Sequence, residues 1–221
     1  MMFIALCLSL LSTASADNNG IEVSLEGGLM ETSGSKWDLF SDGALITTGV
    51  RAGKRLAENT SVTLGWRHAA VGSTLVIGDE EIIYDDYGYE EPDGPYLGIV
   101  LDQYSLGAKH TWTVKPWFQP YVTGEAILSV GHFLMDDDPD KEGNSNEIRR
   151  GAVAPGGAAT VGMDVLSFGK DARWRVALFV ESGYQTGFAL KFVDRTQKND
   201  IPVGDLPLQG VVTRFGLSAQ F

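Results

Sequence analysis

Eight stretches of this sequence alternate apolar and polar residues, and they account for about half of the chain beyond its first nineteen residues. Alternation at every second position predicts β-strands with one apolar face. The predicted strands are Gly20–Met30, Ala44–Lys54, Ser61–Val71, Leu97–His110, Trp117–Gly131, Gly156–Ser167, Arg173–Gln185 and Gln209–Phe221. After the N-terminus, the sequence has no stretch close to the roughly 18 uncharged apolar residues of a membrane helix.

The connections between the predicted strands are alternately long and short. The long ones are Glu31–Gly43, Gly72–Tyr96, His132–Pro155 and Thr186–Leu208, and the short ones are Arg55–Thr60, Thr111–Pro116 and Phe168–Ala172. Membrane barrels alternate short periplasmic turns with long external loops. We therefore predict an all-β chain that forms a closed antiparallel up-and-down transmembrane β-barrel of eight strands. A barrel of this size leaves a lumen that side chains fill, so the lumen should be plugged.

The N-terminus is typical of a secretory signal peptide. The apolar segment Phe3–Leu11 precedes Ala14-Ser15-Ala16, an A-x-A cleavage site, although no basic residue stands before it. We expect a signal peptide over 1–16 and a barrel domain over 17–221, with cleavage before Asp17. Cys7 lies in the signal, so the mature chain would contain no cysteine.

The net charge of -12 at pH 7 argues against nucleic-acid binding. Much of the acid lies in two clusters, within 79–94 and 136–147, and both fall in predicted long connections. We therefore expect acidic extracellular loops that meet divalent cations, outer-membrane lipid and lipopolysaccharide.

Charges of both signs occupy the polar faces of the strands. The acids are Glu22, Glu26, Glu125, Asp164 and Glu181, and the bases are Arg51, Arg67, Lys109, Arg173, Arg175 and Arg214. In a membrane barrel this face lines the lumen, where charges pair, whereas in a soluble barrel it faces water. The residues predicted to carry the lumen charges are Glu26, Arg51, Arg67, Glu125, Arg175, Glu181 and Arg214. Asp102 falls on an apolar face, which fits a barrel only at its rim.

The last twelve residues, Gly210–Phe221, alternate apolar residues up to a terminal aromatic. This ending resembles the closing strand of the small eight-stranded bacterial outer-membrane β-barrel family. Phe118–Leu128 and Gly156–Gly162 are similar to its mid-barrel strands. The resemblance implies an outer-membrane location and recognition by the outer-membrane assembly machinery. The residues expected to carry that assembly signal are Phe215, Leu217, Ala219 and Phe221.

No motif of a barrel enzyme is present in the sequence. The histidines are His68, His110 and His132, and none has the His-x-Ser pattern of lipid A deacylases. His132 near Ser129 and Asp136 is a weak match to the palmitoyl-transferring barrels. We expect His68 and His132 at the outer rim and His110 at an inner turn, and no catalytic residue and no cofactor.

One acidic segment has partial calcium-loop spacing. Its four carboxylates stand at loop positions 1, 3, 5 and 12 and are Asp136, Asp138, Asp140 and Glu147. Position 6 requires glycine but is Lys141, so we predict no metal site.

The sequence favours a non-catalytic outer-membrane barrel with a structural or surface-interaction role through its loops. Two alternatives stay open. One is a lipid-modifying outer-membrane enzyme, an acyl hydrolase or transferase with a site at the outer rim. The other is a soluble secreted lipocalin-like carrier of a small ligand. The direction in which the charged face points decides between membrane and soluble barrels.

Overall fold

A computed structural model describes residues 20–32, 44–74, 96–115, 117–136, 148–168, 174–192 and 205–221. Ten strands lie in these ranges: β1 (Ile21–Thr32), β2 (Ala44–Ala57), β3 (Thr60–Thr74), β4 (Tyr96–Thr111), β5 (Phe118–Asp136), β6 (Ile148–Phe168), β7 (Arg175–Gly187), β8 (Leu190–Lys191), β9 (Asp205–Leu206) and β10 (Gly210–Gln220). The signal peptide and most of both acidic clusters lie outside the described residues. The described ranges contain no helix long and apolar enough to span a membrane.

Eight of the strands close into one antiparallel barrel. Each of β1 to β6 pairs with the next strand along the chain, and β10 pairs with both β7 and β1. The last residue completes the closure, because N of Phe221 donates to O of Ile21 at 2.9 Å and N of Ile21 donates to O of Phe221 at 3.1 Å. Each of the eight barrel strands therefore has two neighbours, and the barrel has no free edge.

The strands are staggered around the barrel. A row of paired residues that starts at Val165 crosses all eight strands and returns to β6 at Pro155, ten residues nearer the N-terminus. This stagger tilts the strands by roughly 35–45° from the barrel axis. As a result, side chains from different positions on their strands meet at one level of the lumen.

The predicted eight-stranded barrel is confirmed, with two differences along the chain. Strand β6 begins at Ile148, eight residues before its predicted start, and β5 continues to Asp136. The long connection between them shrinks to residues 137–147. The second difference is the hairpin β8–β9, whose strands have two residues each and which lies inside the predicted connection Thr186–Leu208.

The described connections give the barrel two unlike ends. Glu58–Asn59 joins β2 to β3, and residues 112–117 and 169–174 make the other two short connections. The long connections all leave from the opposite end, as the predicted alternation requires. By the rule for outer-membrane barrels, the short-turn end is periplasmic and the long-connection end is external. We call these the inner and outer ends.

Candidate functional site

The middle of the lumen is filled by three arginines and three glutamates. Arg67 bridges two carboxylates: its Nε lies 2.6 Å from Oε1 of Glu26, and its Nη2 lies 2.6 Å from Oε1 of Glu125. Arg51 Nη2 reaches Oε2 of Glu26 at 3.2 Å. All of these side chains are at least 95% buried. Sequence separations of up to 58 residues in these hydrogen bonds show that barrel closure, not local structure, assembles the cluster.

Glu181 is the acceptor at the centre of this cluster. Its Oε1 lies 2.7 Å from Nη1 of Arg214, and its Oε2 lies 3.2 Å from Nη1 and Nη2 of Arg51. The hydroxyl of Tyr121 also donates to Oε2 at 3.1 Å. The Arg51 guanidinium stands 5.4 Å from the centre of the Phe179 ring. Each buried charge thus faces an opposite charge, which buried ions require.

A second charged group lies toward the inner end of the lumen. Lys109 Nζ donates to Oε1 of Glu22 at 2.8 Å and stands 3.7 Å from Oδ1 of Asp164. Arg175 Nη2 lies 3.6 Å from Oδ2 of the same aspartate, and its Nη1 hydrogen-bonds Gln119. Neither Asp164 oxygen has a hydrogen-bond partner among the described residues. Ordered water is the usual partner of such buried polar atoms.

The two groups together balance in charge. Among the described lumen residues, five carboxylates, from Glu22, Glu26, Glu125, Asp164 and Glu181, face five cations, from Arg51, Arg67, Lys109, Arg175 and Arg214. A balanced, densely paired interior has no net field to select an ion. Chemically, this network fills the barrel and fixes its shape.

The outer end of the lumen is apolar, which the sequence did not predict. Leu97, Ile99, Leu101 and Phe133 point inward there and are at most 5% exposed. Four residues of the β8–β9 hairpin and its flanks belong to the same buried cluster, and these are Leu190, Phe192, Leu206 and Leu208. The Phe133 and Phe192 ring centres lie 5.8 Å apart. We call these eight residues the apolar cap, since they close the lumen above the charged cluster.

The outside of the barrel has the opposite polarity to its middle. Leu25, Ile46, Val161 and Phe215 are between 61% and 71% exposed, while the alternate residues on their strands are buried in the lumen. Soluble monomers rarely expose a continuous apolar surface of this kind. An apolar exterior around a charged interior is the polarity of a barrel surrounded by lipid.

The described strands thus form a closed eight-stranded β-barrel with the polarity of a transmembrane barrel.

Because the charged face of this barrel lines its lumen, the soluble lipocalin-like alternative is wrong. Exposed aromatics form a girdle at its inner end, where Trp112, Trp117, Trp174 and Phe221 are between 45% and 65% exposed. Tryptophan and tyrosine favour this level of a membrane, between hydrocarbon and water.

The residues of the expected assembly signal share the lipid face of β10. Phe215, Leu217 and Phe221 are exposed, and Ala219 is half-buried on the same face. Phe215 lies in the middle of the strand and not at an interface, whereas Phe221 lies in the inner girdle.

Two polar residues on the lipid face differ from their predicted positions. Asp102 and His68 were expected at the outer rim, but they are register partners within β4 and β3. Nδ1 of His68 lies 3.0 Å from Oδ1 of Asp102, and the indole Nε1 of Trp66 donates to the same oxygen at 3.1 Å. His110 lies near the inner turn as expected, with its Nδ1 3.0 Å from Oγ1 of Thr60.

The calcium-like segment falls almost entirely outside the described residues. Asp136 is the last residue of β5, and Asp138, Asp140 and Glu147 belong to the connection that follows. Within the described ranges, no group of three or more His, Cys, Asp or Glu side chains is placed to hold a metal ion.

Sequence reasoning did not single out some lumen residues that complete the network. Tyr121 and Phe179 lie on the charged faces of β5 and β7, where alternation places them inward. Their even spacing from Glu125 and Glu181 along the strands is the signal that indicates this facing. Glu22, Lys109 and Asp164 were assigned to the polar face but not to the lumen set.

Comparisons with known proteins give similarity at the level of fold alone. No family model and no curated protein matches the sequence. Similar solved structures include Ail, the attachment invasion locus protein of Yersinia pestis, in complex with the heparin analogue sucrose octasulfate (11% identity, TM-score 0.42, 92% of this chain and 97% of that chain). Others are the N-terminal β-barrel domain of Pseudomonas aeruginosa OprF (11%, 0.34, 92% and 98%) and Neisserial surface protein A (10%, 0.41, 92% and 96%).

Proposed function

We propose that this barrel is a non-catalytic outer-membrane protein with a structural or surface-interaction role. The observation that carries the proposal is the filled lumen, in which five carboxylates balance five cations below an apolar cap. Such an interior supports neither conduction nor a buried ligand. Specific interactions then fall to the outer surface and to the long connections of the outer end.

Acidic composition suggests what these connections meet. Residues 79–93 contain eight acids and no lysine or arginine. Clustered carboxylates attract divalent cations, which prefer oxygen ligands. We therefore propose that the connections collect divalent cations at the lipopolysaccharide surface, and that insertion proceeds through the outer-membrane assembly machinery.

The proposal is tested in proteoliposomes that contain the refolded mature chain. A variant with the eight acids of 79–93 changed to Asn or Gln should bind several-fold less Ca²⁺ in equilibrium dialysis. A second variant with residues 79–93 in scrambled order keeps the charge and should bind as the parent does. Equal Ca²⁺ binding by the neutralised variant would refute the loop role. Steady ion conductance, or release of fatty acid from vesicle lipids, would refute the non-catalytic, closed barrel.

A further inference from the structure

Trp66, His68 and Asp102 form a polar cluster on the lipid face of β3 and β4. His68 is the ninth of fifteen residues in β3, and Asp102 is the seventh of sixteen in β4. Both therefore lie inside their strands and not at the strand ends. Ionisable groups on a lipid face destabilise a barrel by about 2–4 kcal/mol at the midplane and by less near the interfaces. Such residues in membrane proteins mark functional sites by default.

The cluster lies near the outer boundary of the membrane. His68 is eight residues beyond Thr60, where β3 begins at the inner end. At roughly 3.3 Å per residue on a strand tilted by about 40°, it stands roughly 20 Å above that end. The apolar band of such barrels is about 25 Å tall. This level is where the headgroups of outer-leaflet lipids meet their acyl chains.

The hydrogen bonds fix which atoms face the lipid. Asp102 Oδ1 receives both the Trp66 indole N–H, at 3.1 Å, and the Nδ1 side of His68, at 3.0 Å. Nε2 has no partner among the described residues, and the two side chains are 39% and 24% exposed. The cluster thus presents two further polar atoms to the lipid, Nε2 of His68 and the second oxygen of Asp102.

Apolar surface surrounds these two polar atoms. Val100 and Tyr104 flank Asp102 on the lipid face and are 36% and 40% exposed. The Trp66 ring lies beside the imidazole, with ring centres 6.0 Å apart. A carboxylate acceptor beside an imidazole nitrogen within an apolar surface suits an amphiphile that brings hydrogen-bonding groups and acyl chains together. The Asp102 carboxylate disfavours phosphate and favours hydroxyl and amide N–H groups.

We propose that Trp66, His68 and Asp102 bind the headgroup of an outer-leaflet glycolipid through its hydroxyl and amide N–H donors. The sugar ring lies toward Val100, on the outer side of the pair, and the acyl chains run along Trp66 and Tyr104, which are register partners nearer the midplane. This inference rests on the proposed function, because it requires the barrel to sit in an asymmetric outer membrane without consuming its lipid.

The test is native mass spectrometry of the refolded mature chain after exchange into lipid. Three variants are compared: the parent, His68→Phe with Asp102→Leu, and Ser182→Ala with Thr213→Val. The last is a matched control, because Ser182 and Thr213 form another lipid-facing hydrogen-bonded pair, 3.2 Å apart, on the opposite side of the barrel. Neither double variant adds charge to the lipid face. The probes are lipid A and dioleoylphosphatidic acid, which carries phosphate but no sugar.

The parent and the Ser182/Thr213 variant should retain lipid A in preference to phosphatidic acid. The His68/Asp102 variant should retain about tenfold less lipid A, as expected for the loss of one to two hydrogen bonds. Equal retention by all three proteins would overturn the site, and equal retention of phosphatidic acid by the parent would overturn the donor chemistry.

Two separate readouts distinguish failure of the site from failure of the proposed function. The heat-dependent gel shift reports whether each protein forms a closed barrel in lipid. If the parent releases fatty acid from lipid A and the His68/Asp102 variant does not, the pair is catalytic, and the binding proposal and the non-catalytic function both fall. If the parent is folded and inert but does not retain lipid A, the site alone is wrong.

Discussion

Arg214 and Glu181 are register partners on β10 and β7, and Nη1 of the arginine lies 2.7 Å from Oε1 of the glutamate. Both belong to the mid-lumen cluster, so each also has a second opposite charge within reach. Arg214 Nη1 lies 3.0 Å from Oε2 of Glu125, and Arg51 contacts Glu181. Sequence alternation placed both residues on the charged face, but only the register shows that they are partners.

Reversing one charge of this pair should strongly destabilise the barrel. Arg214→Glu leaves three carboxylates together, and Glu181→Arg leaves three guanidinium groups together, each at a cost of about 3–5 kcal/mol. The double reversal restores the pair but leaves Glu125 and Arg51 beside like charges, so it should recover part of that loss. Urea unfolding in lipid vesicles measures this coupling.

An exposed ion pair gives the control for this comparison of single and double charge reversals. Lys191 and Asp205 lie 3.6 Å apart on the β8–β9 hairpin, and their side chains are 67% and 54% exposed. The same reversals there should change the unfolding free energy by less than about 1 kcal/mol. Strictly additive effects at Arg214 and Glu181 would show that the two side chains do not interact.

Leu178 and Leu217 are also register partners on β7 and β10, but they point toward lipid. Leu178→Arg or Leu217→Arg should cost about 2–4 kcal/mol, because a charge in the hydrocarbon region loses its hydration. Leu56→Arg, at the inner end of β2, should cost only about 0–1 kcal/mol. Folding is read by the heat-dependent gel shift in vesicles. Parent-like folding of the first two variants, together with free solubility without detergent, would contradict the membrane assignment.

Phe221 combines two roles that different substitutions separate. Its backbone closes the barrel through two hydrogen bonds to Ile21, and its ring lies exposed in the inner girdle. Deleting Phe221 removes both, whereas Phe221→Ala keeps the backbone bonds. If the assembly machinery recognises the terminal ring, both changes should reduce outer-membrane insertion in cells several-fold. In detergent-free vesicles, where that machinery is absent, Phe221→Ala should fold nearly as the parent does.

The control for Phe221 is a short deletion within residues 138–145, outside the strands. It should leave insertion unchanged, as measured by the fraction of protein in the outer membrane against the periplasm. Normal insertion of the Phe221→Ala chain would place the assembly signal elsewhere.

The number of barrel strands and the direction of their side chains could be predicted from the sequence, because one face of each strand contacts lipid and the other lines the lumen. Register and charge pairing were not, because they depend on a stagger that accumulates around eight strands. The start of β6 was missed for a local reason: Gly151, Ala152 and Ala154 are too small to mark a face, although they pair with β5. Asp102 looked misplaced because its partners, His68 and Trp66, stand 34 and 36 residues away on the neighbouring strand.

The apolar cap is a second feature that the alternation of apolar and polar residues does not predict. In the stretch Leu97–Leu101 both faces of β4 are apolar, with Ile99 buried in the lumen and Val100 toward lipid. A continuous apolar run of this kind indicates burial on two sides. The sequence thus carried a sign that the outer lumen is not polar, but the residues that fill it come from the distant β8–β9 hairpin.

Leu190 anchors that hairpin in the lumen, and its removal should release the connection between Lys191 and Asp205. It is fully buried, and a side chain added at Gly131 would meet it at 2.7 Å, which shows how closely it packs on β5. Leu190→Ala should cost about 2–5 kcal/mol of local packing. The hairpin has only two residue pairs of its own, so it should open far more often. Limited proteolysis on intact cells should then cut between residues 191 and 205 at least tenfold faster, while Lys191→Ala should leave the rate near that of the parent. Unchanged cleavage in Leu190→Ala would mean that the cap is held by contacts other than this side chain.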